Sequence, residues 1–119
     1  MQKGWYEFMV RYLEERSNLN VILHLVDGRH GLKGDDWDLM KVIKEVGVVE
    51  RAHYVVVLTK VDKLGKKGVK EGVVRDIEDA FEKVGFERDT PIILTSAVKK
   101  IGRDDLWNYL RLGVASLND

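Results

Sequence analysis

The chain has 119 residues, 45% of them apolar and 34% charged, which is the composition of one globular domain with a heavily charged surface. Twenty basic residues balance twenty acidic ones and there is no cysteine. Disulfides and thiolate metal sites are therefore excluded, and so is a net positive field that would draw in nucleic acid or membrane without a local patch. No apolar run approaches the roughly 20 residues needed to span a bilayer. The start, Met1-Gln2-Lys3-Gly4-Trp5, reads neither as a signal nor as a transit peptide. An intracellular protein without membrane contact is expected.

Trp5, Phe8, Met9, Tyr12 and Leu13 recur at helical spacing, so residues 4–17 read as an amphipathic helix closed by Asn18 or Asn20. Residues 21–26 form an apolar run interrupted only by His24, and it stops at Asp27-Gly28. Lack of alternation predicts a strand buried on both faces. Residues 28–34 hold three glycines and read as a loop. Asp35 is placed to cap the next helix, which carries the stripe Leu39, Met40, Ile43 and Val46 and stops at Gly47.

Residues 54–59 predict a second buried strand, and 60–68 a basic, glycine-containing loop. Val73, Val74, Ile77, Ala80, Phe81 and Val84 stripe a helix over residues 70–84, with Gly85 as its stop. Pro91 opens a third strand that runs through Ile92, Ile93 and Leu94 to Thr95 and ends at Ser96-Ala97. Leu106, Leu110, Gly113 or Val114, and Leu117 stripe a last helix, with Asp104 and Asp105 near its positive end.

The order α-β-α-β-α-β-α, with strands starting about 33 and 37 residues apart, suits right-handed βαβ units. It predicts an α/β fold of three layers, α-β-α, with three parallel strands between flanking helices. In such sheets ligands bind beyond the carboxyl ends of the strands. Asp27, Lys60, Asp62, Ser96 and Ala97 all follow strand ends.

Thr59-Lys60-Val61-Asp62-Lys63 is the most informative string. A strand that ends in Thr-Lys-x-Asp is the guanine-reading element of GTP-binding domains. An ionised aspartate only accepts hydrogen bonds, and guanine offers two donors, N1–H and the N2 amino group. Adenine presents a bare acceptor at N1, which leaves the carboxylate unpaired. The aliphatic stem of Lys60 can lie over the flat face of the base with its ammonium in water. Thr59 ends the strand and anchors the loop. Ser96-Ala97 puts a small side chain where a backbone N–H can approach the base oxygen O6. Read alone, the string equally fits an ordinary turn in which Asp62 caps backbone donors. Ser96-Ala97 one βαβ unit downstream favours the base.

Phosphate chemistry has no counterpart here. A P-loop requires Gly-x-x-x-x-Gly-Lys-Ser/Thr, and no such string occurs. Gly65-Lys66-Lys67-Gly68 has the wrong spacing. Asp27-Gly28-Arg29-His30 does not supply the Asp-x-x-Gly element that senses a γ-phosphate. His24 reads as a satisfied core residue, His53 as surface and His30 as part of its loop. None has the spacing of a metal ligand set. Lysines 60, 63, 66, 67 and 70 read as a solvated face, with RNA phosphates as the alternative. Trp5, Trp37 and Trp107 read as packing residues.

Together these strings resemble the C-terminal part of the EngB-type GTP-binding proteins, a group of translation-factor-related P-loop GTPases. The resemblance rests on Trp5, Tyr12, Leu13 and Arg16, on Asp27-Gly-Arg29-His30, on Thr59-Lys-Val-Asp62-Lys63, and on Ser96-Ala97-Val-Lys-Lys-Ile-Gly102 with Leu106-Trp107. It implies binding of GTP and GDP, with magnesium only if the other half of such a domain is present. It further implies a role in large ribosomal subunit assembly, ribosomal RNA or the large subunit as partner, and a cytoplasmic or organellar place (mitochondrion or plastid). Residues 1–119 would then be a single partial G domain lacking the P-loop and switch regions. Guanine recognition is expected at Thr59, Lys60, Asp62, Lys63, Ser96 and Ala97, with no catalytic or metal residue. In such a chain the strand from Val21 to Val26 becomes an open edge that invites self-association. The competing expectation is a non-enzymatic α/β interaction module with a degenerate nucleotide pocket.

Overall fold

The computed structural model describes residues 3–15, 20–50, 52–65 and 69–118. Arg16, Asn18, Lys66 and Lys67 lie outside the described residues, as do the surroundings of the Gly113, Val114 and Leu117 side chains. Seven main elements follow one another: α1 (Lys3–Glu15), β1 (Val21–Asp27), α2 (Gly34–Val46), β2 (His53–Thr59), α3 (Val69–Val84), β3 (Ile92–Leu94) and α4 (Arg103–Asn118). Short 3-10 turns occupy Val48–Glu50 and Val61–Lys63.

The sheet is parallel, in the order β1-β2-β3. Its register sets Ile22 beside Tyr54, His24 beside Val56 and Val26 beside Leu58, with Ile92 and Leu94 continuing the row on β3. This is the face that the first three helices cover. Leu13 of α1, Met40, Val42 and Ile43 of α2, and Ile77, Ala80 and Phe81 of α3 bury against it in one cluster. Tyr54 stacks on Phe86 at 4.9 Å between ring centroids, and Phe81 meets both rings edge-on. Val55, Val57 and Ile93, on the opposite face, are also buried, and α4 packs against β1. The three-layer α/β arrangement expected from the sequence is thus present.

His24 is 4% exposed and fully engaged. Its Nε2 lies 2.9 Å from Asp36 Oδ1 and its Nδ1 2.8 Å from the Tyr54 hydroxyl. A carboxylate only accepts, so Nε2–H donates to Asp36 and Nδ1 of that tautomer accepts the tyrosine proton. The chain ties β1, β2 and the start of α2 together. Burial, and next the Asp36 charge, push the Tyr54 hydroxyl well above the ordinary tyrosine pKa. Among the described residues no buried side-chain nitrogen or oxygen is left without a partner.

Four expectations need correction. Phe8, named on the α1 stripe, is 63% exposed, because only Trp5, Met9 and Leu13 of that stripe face the core. Asp36, not Asp35, caps α2: its Oδ2 accepts the Lys33 backbone N–H at 2.8 Å, a reach that suits the third helical residue. β1 is not buried on both faces. It is an edge strand, and Leu25 on the second face is 62% exposed. Trp107 is not a packing residue, being 53% exposed near the start of α4, whereas Trp5 and Trp37 pack against the core as expected.

Two glycines close the sheet's carboxyl edge. The Gly28 N–H donates to Thr59 O at 2.8 Å, and a β-carbon on residue 28 would sit 2.6 Å from that same oxygen. Gly102 has φ +81, and a β-carbon there would meet the Leu94 carbonyl. Gly28→Ala is expected to lower stability by about 1–3 kcal/mol, because the neighbour is backbone and cannot swing aside. Gly72→Ala, in the interior of α3 with open space around it, is expected to raise stability by about 0.5–1 kcal/mol. Urea unfolding of both variants checks the opposite signs.

Candidate functional site

The carboxyl ends of β1, β2 and β3 lie side by side, and the loops that leave them are bonded to one another. Thr59 Oγ1 donates to Val26 O at 3.3 Å, and Thr95 Oγ1 to Leu58 O at 3.1 Å. The Val61 N–H donates to Thr95 O at 3.1 Å. These bonds carry the β2 loop toward the β3 loop, so the Val61–Lys63 turn starts directly over the end of β3.

Asp62, in that turn, meets Ser96. The Ser96 hydroxyl donates to Asp62 Oδ1 at 2.6 Å and accepts the Lys99 N–H at 3.0 Å. A hydroxyl has one proton, and the Lys99 amide can only donate, so the serine proton is committed to Asp62. Ser96 is 2% exposed, which fixes its rotamer and its aim. Its backbone closes the next turn through Ser96 N–H to Ile101 O at 3.2 Å and Ile101 N–H to Ser96 O at 3.0 Å. Lys100 takes the left-handed conformation, φ 56, to close that turn. Ala97 is exposed at the tip, and its N–H makes no hydrogen bond among the described residues.

The Ser96 bond, the largest effect, lowers the Asp62 pKa below its ordinary value; burial opposes it, and the backbone N–H of Asp62 and the nearby Lys63 and Lys99 charges add smaller lowering effects. Asp62 is therefore an ionised acceptor, held on one oxygen and partly open to solvent.

Lys60 differs from the expectation of an ammonium free in water. Its Nζ lies 3.4 Å from Asp27 Oδ2, so the side chain reaches across to the end of β1. Asp27 also accepts from Arg29 three times: from its N–H and Nε on Oδ1, at 2.9 and 3.2 Å, and from a terminal guanidinium nitrogen on Oδ2 at 2.9 Å. Those Arg29 bonds hold the Asp27 carboxyl well below the ordinary carboxylate range. Sequence reading places Asp27 at a strand end and, with Arg29, in a family-like string, but it does not pair Asp27 with Lys60. The signal it missed is register, since Asp27 stands opposite Thr59 and so next to Lys60. Lys63 is exposed on the outer side of its turn.

The structure therefore brings Lys60, Asp62, Ser96 and Ala97 to one edge, with Thr59 beneath them and Lys63 outside. Among the described residues no group of three or more His, Asp or Glu could hold a metal ion. No helix among them is long and apolar enough to cross a membrane.

An NMR pH titration of the Asp62 carboxyl is expected to give a midpoint below the ordinary aspartate value of 3.8, and Ser96→Ala to raise it. The sign follows from linkage. A lowered folded-state pKa stabilises the fold above the unfolded value, and that contribution fades as pH falls through the folded value. A wild-type midpoint at or above 3.8 refutes the assigned bond.

Comparison with known proteins bears on the family and the fold. The family described as the elongation factor Tu GTP binding domain matches residues 4–115. A probable GTP-binding protein EngB of Rhodospirillum rubrum is 32% identical over 115 residues, covering 97% of this chain and 46% of that protein. A probable GTP-binding protein EngB of Natranaerobius thermophilus is 29% identical over 110 residues, covering 92% of this chain and 53% of that protein. The crystal structure of translation elongation factor SelB from Methanococcus maripaludis, in its apo form, superposes with a TM-score of 0.71 at 20% identity. It covers 96% of this chain and 24% of that one, and it shows the shared fold. The chain spans about half the length of the curated relatives it matches. The chain belongs to the elongation factor Tu GTP-binding-domain family, and these curated relatives are of the EngB type.

Proposed function

We propose that this chain is the guanine-recognising part of an EngB-type GTP-binding protein. The observation that carries the reading is the 2.6 Å bond from Ser96 to Asp62, which joins the two loops that would read the base. With Oδ1 oriented by the serine, the carboxylate keeps lone pairs on both oxygens for the N1–H and N2 amino donors of guanine. The Ala97 N–H is a donor for O6, and the Lys60 stem is a floor for the ring. Thr59 and Lys63 frame the loop. GTP and GDP share this base, so the site takes either.

The 119 residues contain no P-loop string, so the reading confines this chain to the base. On this reading phosphate binding, magnesium and any hydrolysis would require residues that this sequence does not contain, and these residues form a partial G domain. By resemblance, the parent protein acts in assembly of the large ribosomal subunit, where exposed Lys63 and Lys70 would meet RNA phosphates.

Calorimetry with GDP, ADP and XDP tests the reading. Wild type is expected to prefer GDP, with weak affinity because the phosphates go ungripped. Asp62→Asn is expected to lower GDP affinity by about 1–3 kcal/mol, the worth of one bidentate base contact. The same change should improve XDP, whose C2 carbonyl accepts from the new amide. Equal affinity for all three, or no binding at all, would favour the interaction-module reading.

The open side of β1 supports a second proposal, pairing with another copy of this chain. β1 is hydrogen-bonded on one side only and Leu25 is exposed beside that edge, the combination that templates strand addition. Sedimentation is expected to show a dimer whose population rises with concentration and falls with Leu25→Lys. A monomer at all concentrations contradicts it.

A further inference from the structure

The end of β2 puts Lys60 in the left-handed conformation, φ 57, which a β-carbon disfavours. From there its side chain, though half-exposed, does not extend straight away from the protein. It reaches the neighbouring strand and ends 3.4 Å from Asp27 Oδ2. Asp27 cannot swing to meet it, because three bonds from Arg29 hold both carboxylate oxygens, the backbone N–H among them. The lysine stem is thus strung between the end of β2 and the end of β1, at the carboxyl edge of the sheet and on the β1 side of the Asp62–Ser96 pair.

We propose that Asp27, clamped by Arg29, is a positioning residue of the guanine site: it tethers the Lys60 ammonium so that the lysine stem forms a preset floor for the base. The inference rests on the guanine reading above. Its physical content is preorganisation. A free lysine gives up rotamer freedom when a ring settles on it, whereas a tethered one has already done so. The Lys60 side chain is 52% exposed and that of Asp27 25% exposed. The tether is therefore a surface ion pair, and its effect is a few-fold and not a hundredfold.

Two-dimensional NMR titration of the 119-residue chain with GDP, and with ADP in parallel, reads millimolar affinities and reports folding in the same spectra. Asp27→Asn is expected to weaken GDP binding by up to about fivefold. Lys60→Met should weaken it comparably, and Asp27→Asn should add nothing in the Lys60→Met background. A merely structural Asp27 would cost the same in both backgrounds, so independent losses overturn the proposal. So does wild-type affinity in Asp27→Asn. Relaxation of the Lys60 ε-methylene, measured without nucleotide, is expected to show an ordered stem in wild type and a mobile one in Asp27→Asn. No difference overturns the tether whatever the nucleotide data show. If Asp27→Asn does not fold, Arg29→Gln at its exposed position releases the same carboxylate. It should give a smaller loss and a more mobile stem, and no change in either overturns the proposal. If wild type does not prefer GDP over ADP, the guanine reading fails and this one with it. A stem that is nonetheless ordered marks that failure as one of the base and not of the tether.

Discussion

The Ser96 hydroxyl has one proton, and it goes to Asp62. The aim of Asp62 at the carboxyl edge of this sheet depends on that bond. It crosses from the loop after β3 to the turn after β2, and it fixes which oxygen of the aspartate is spoken for. Ser96 is buried and its hydroxyl accepts the Lys99 N–H, so the direction of donation is set by geometry and not by chance. Without that bond the two loops would still leave neighbouring strands, but the aspartate would have no orientation of its own. A short 3-10 turn on a protein surface rarely holds a side chain still.

The core beneath is built to deliver that alignment. Tyr54, Val56 and Leu58 point into one buried face beside Ile22, His24 and Val26, and the alternate residues Val55 and Val57 fill the other. A slip of one residue between β1 and β2 would move His24 away from Asp36 and Tyr54. It would leave a buried imidazole unpaired, a costly outcome in a dry core. The same slip would separate Asp27 from Thr59 and Lys60. Register is therefore specified twice, by apolar packing within the sheet and by a polar chain that only one alignment satisfies. Gly28 adds a steric condition at the end, since only a residue without a β-carbon can approach Thr59 O so closely.

At the edge of the sheet the constraints relax. Leu25 and Trp107 are large apolar side chains left in solvent, and both belong to segments that read as core in the sequence. An apolar run signals that a strand can be buried on both faces. It carries no information on whether a second covering layer reaches that strand. The shift of the α2 cap from Asp35 to Asp36 is a smaller error of the same kind. Either aspartate suits the first turn of a helix, and the choice was made by which one could reach both the Lys33 N–H and the buried imidazole.

Sequence alone determined the element order, the parallel sheet, most of the helix stripes and the Thr59-Lys60-Val61-Asp62-Lys63 string at the end of the second strand. Each is written in local periodicity or in side-chain chemistry at short spacing, and neither needs a partner far along the chain. Only the tertiary structure decided that Ser96 donates to Asp62 across 34 residues, that Lys60 is tied to Asp27 across 33, and that β1 stands at an open edge. Those facts depend on strand register and on which elements pack where. A linear pattern does not encode such distances, because they arise only once the strands are aligned side by side.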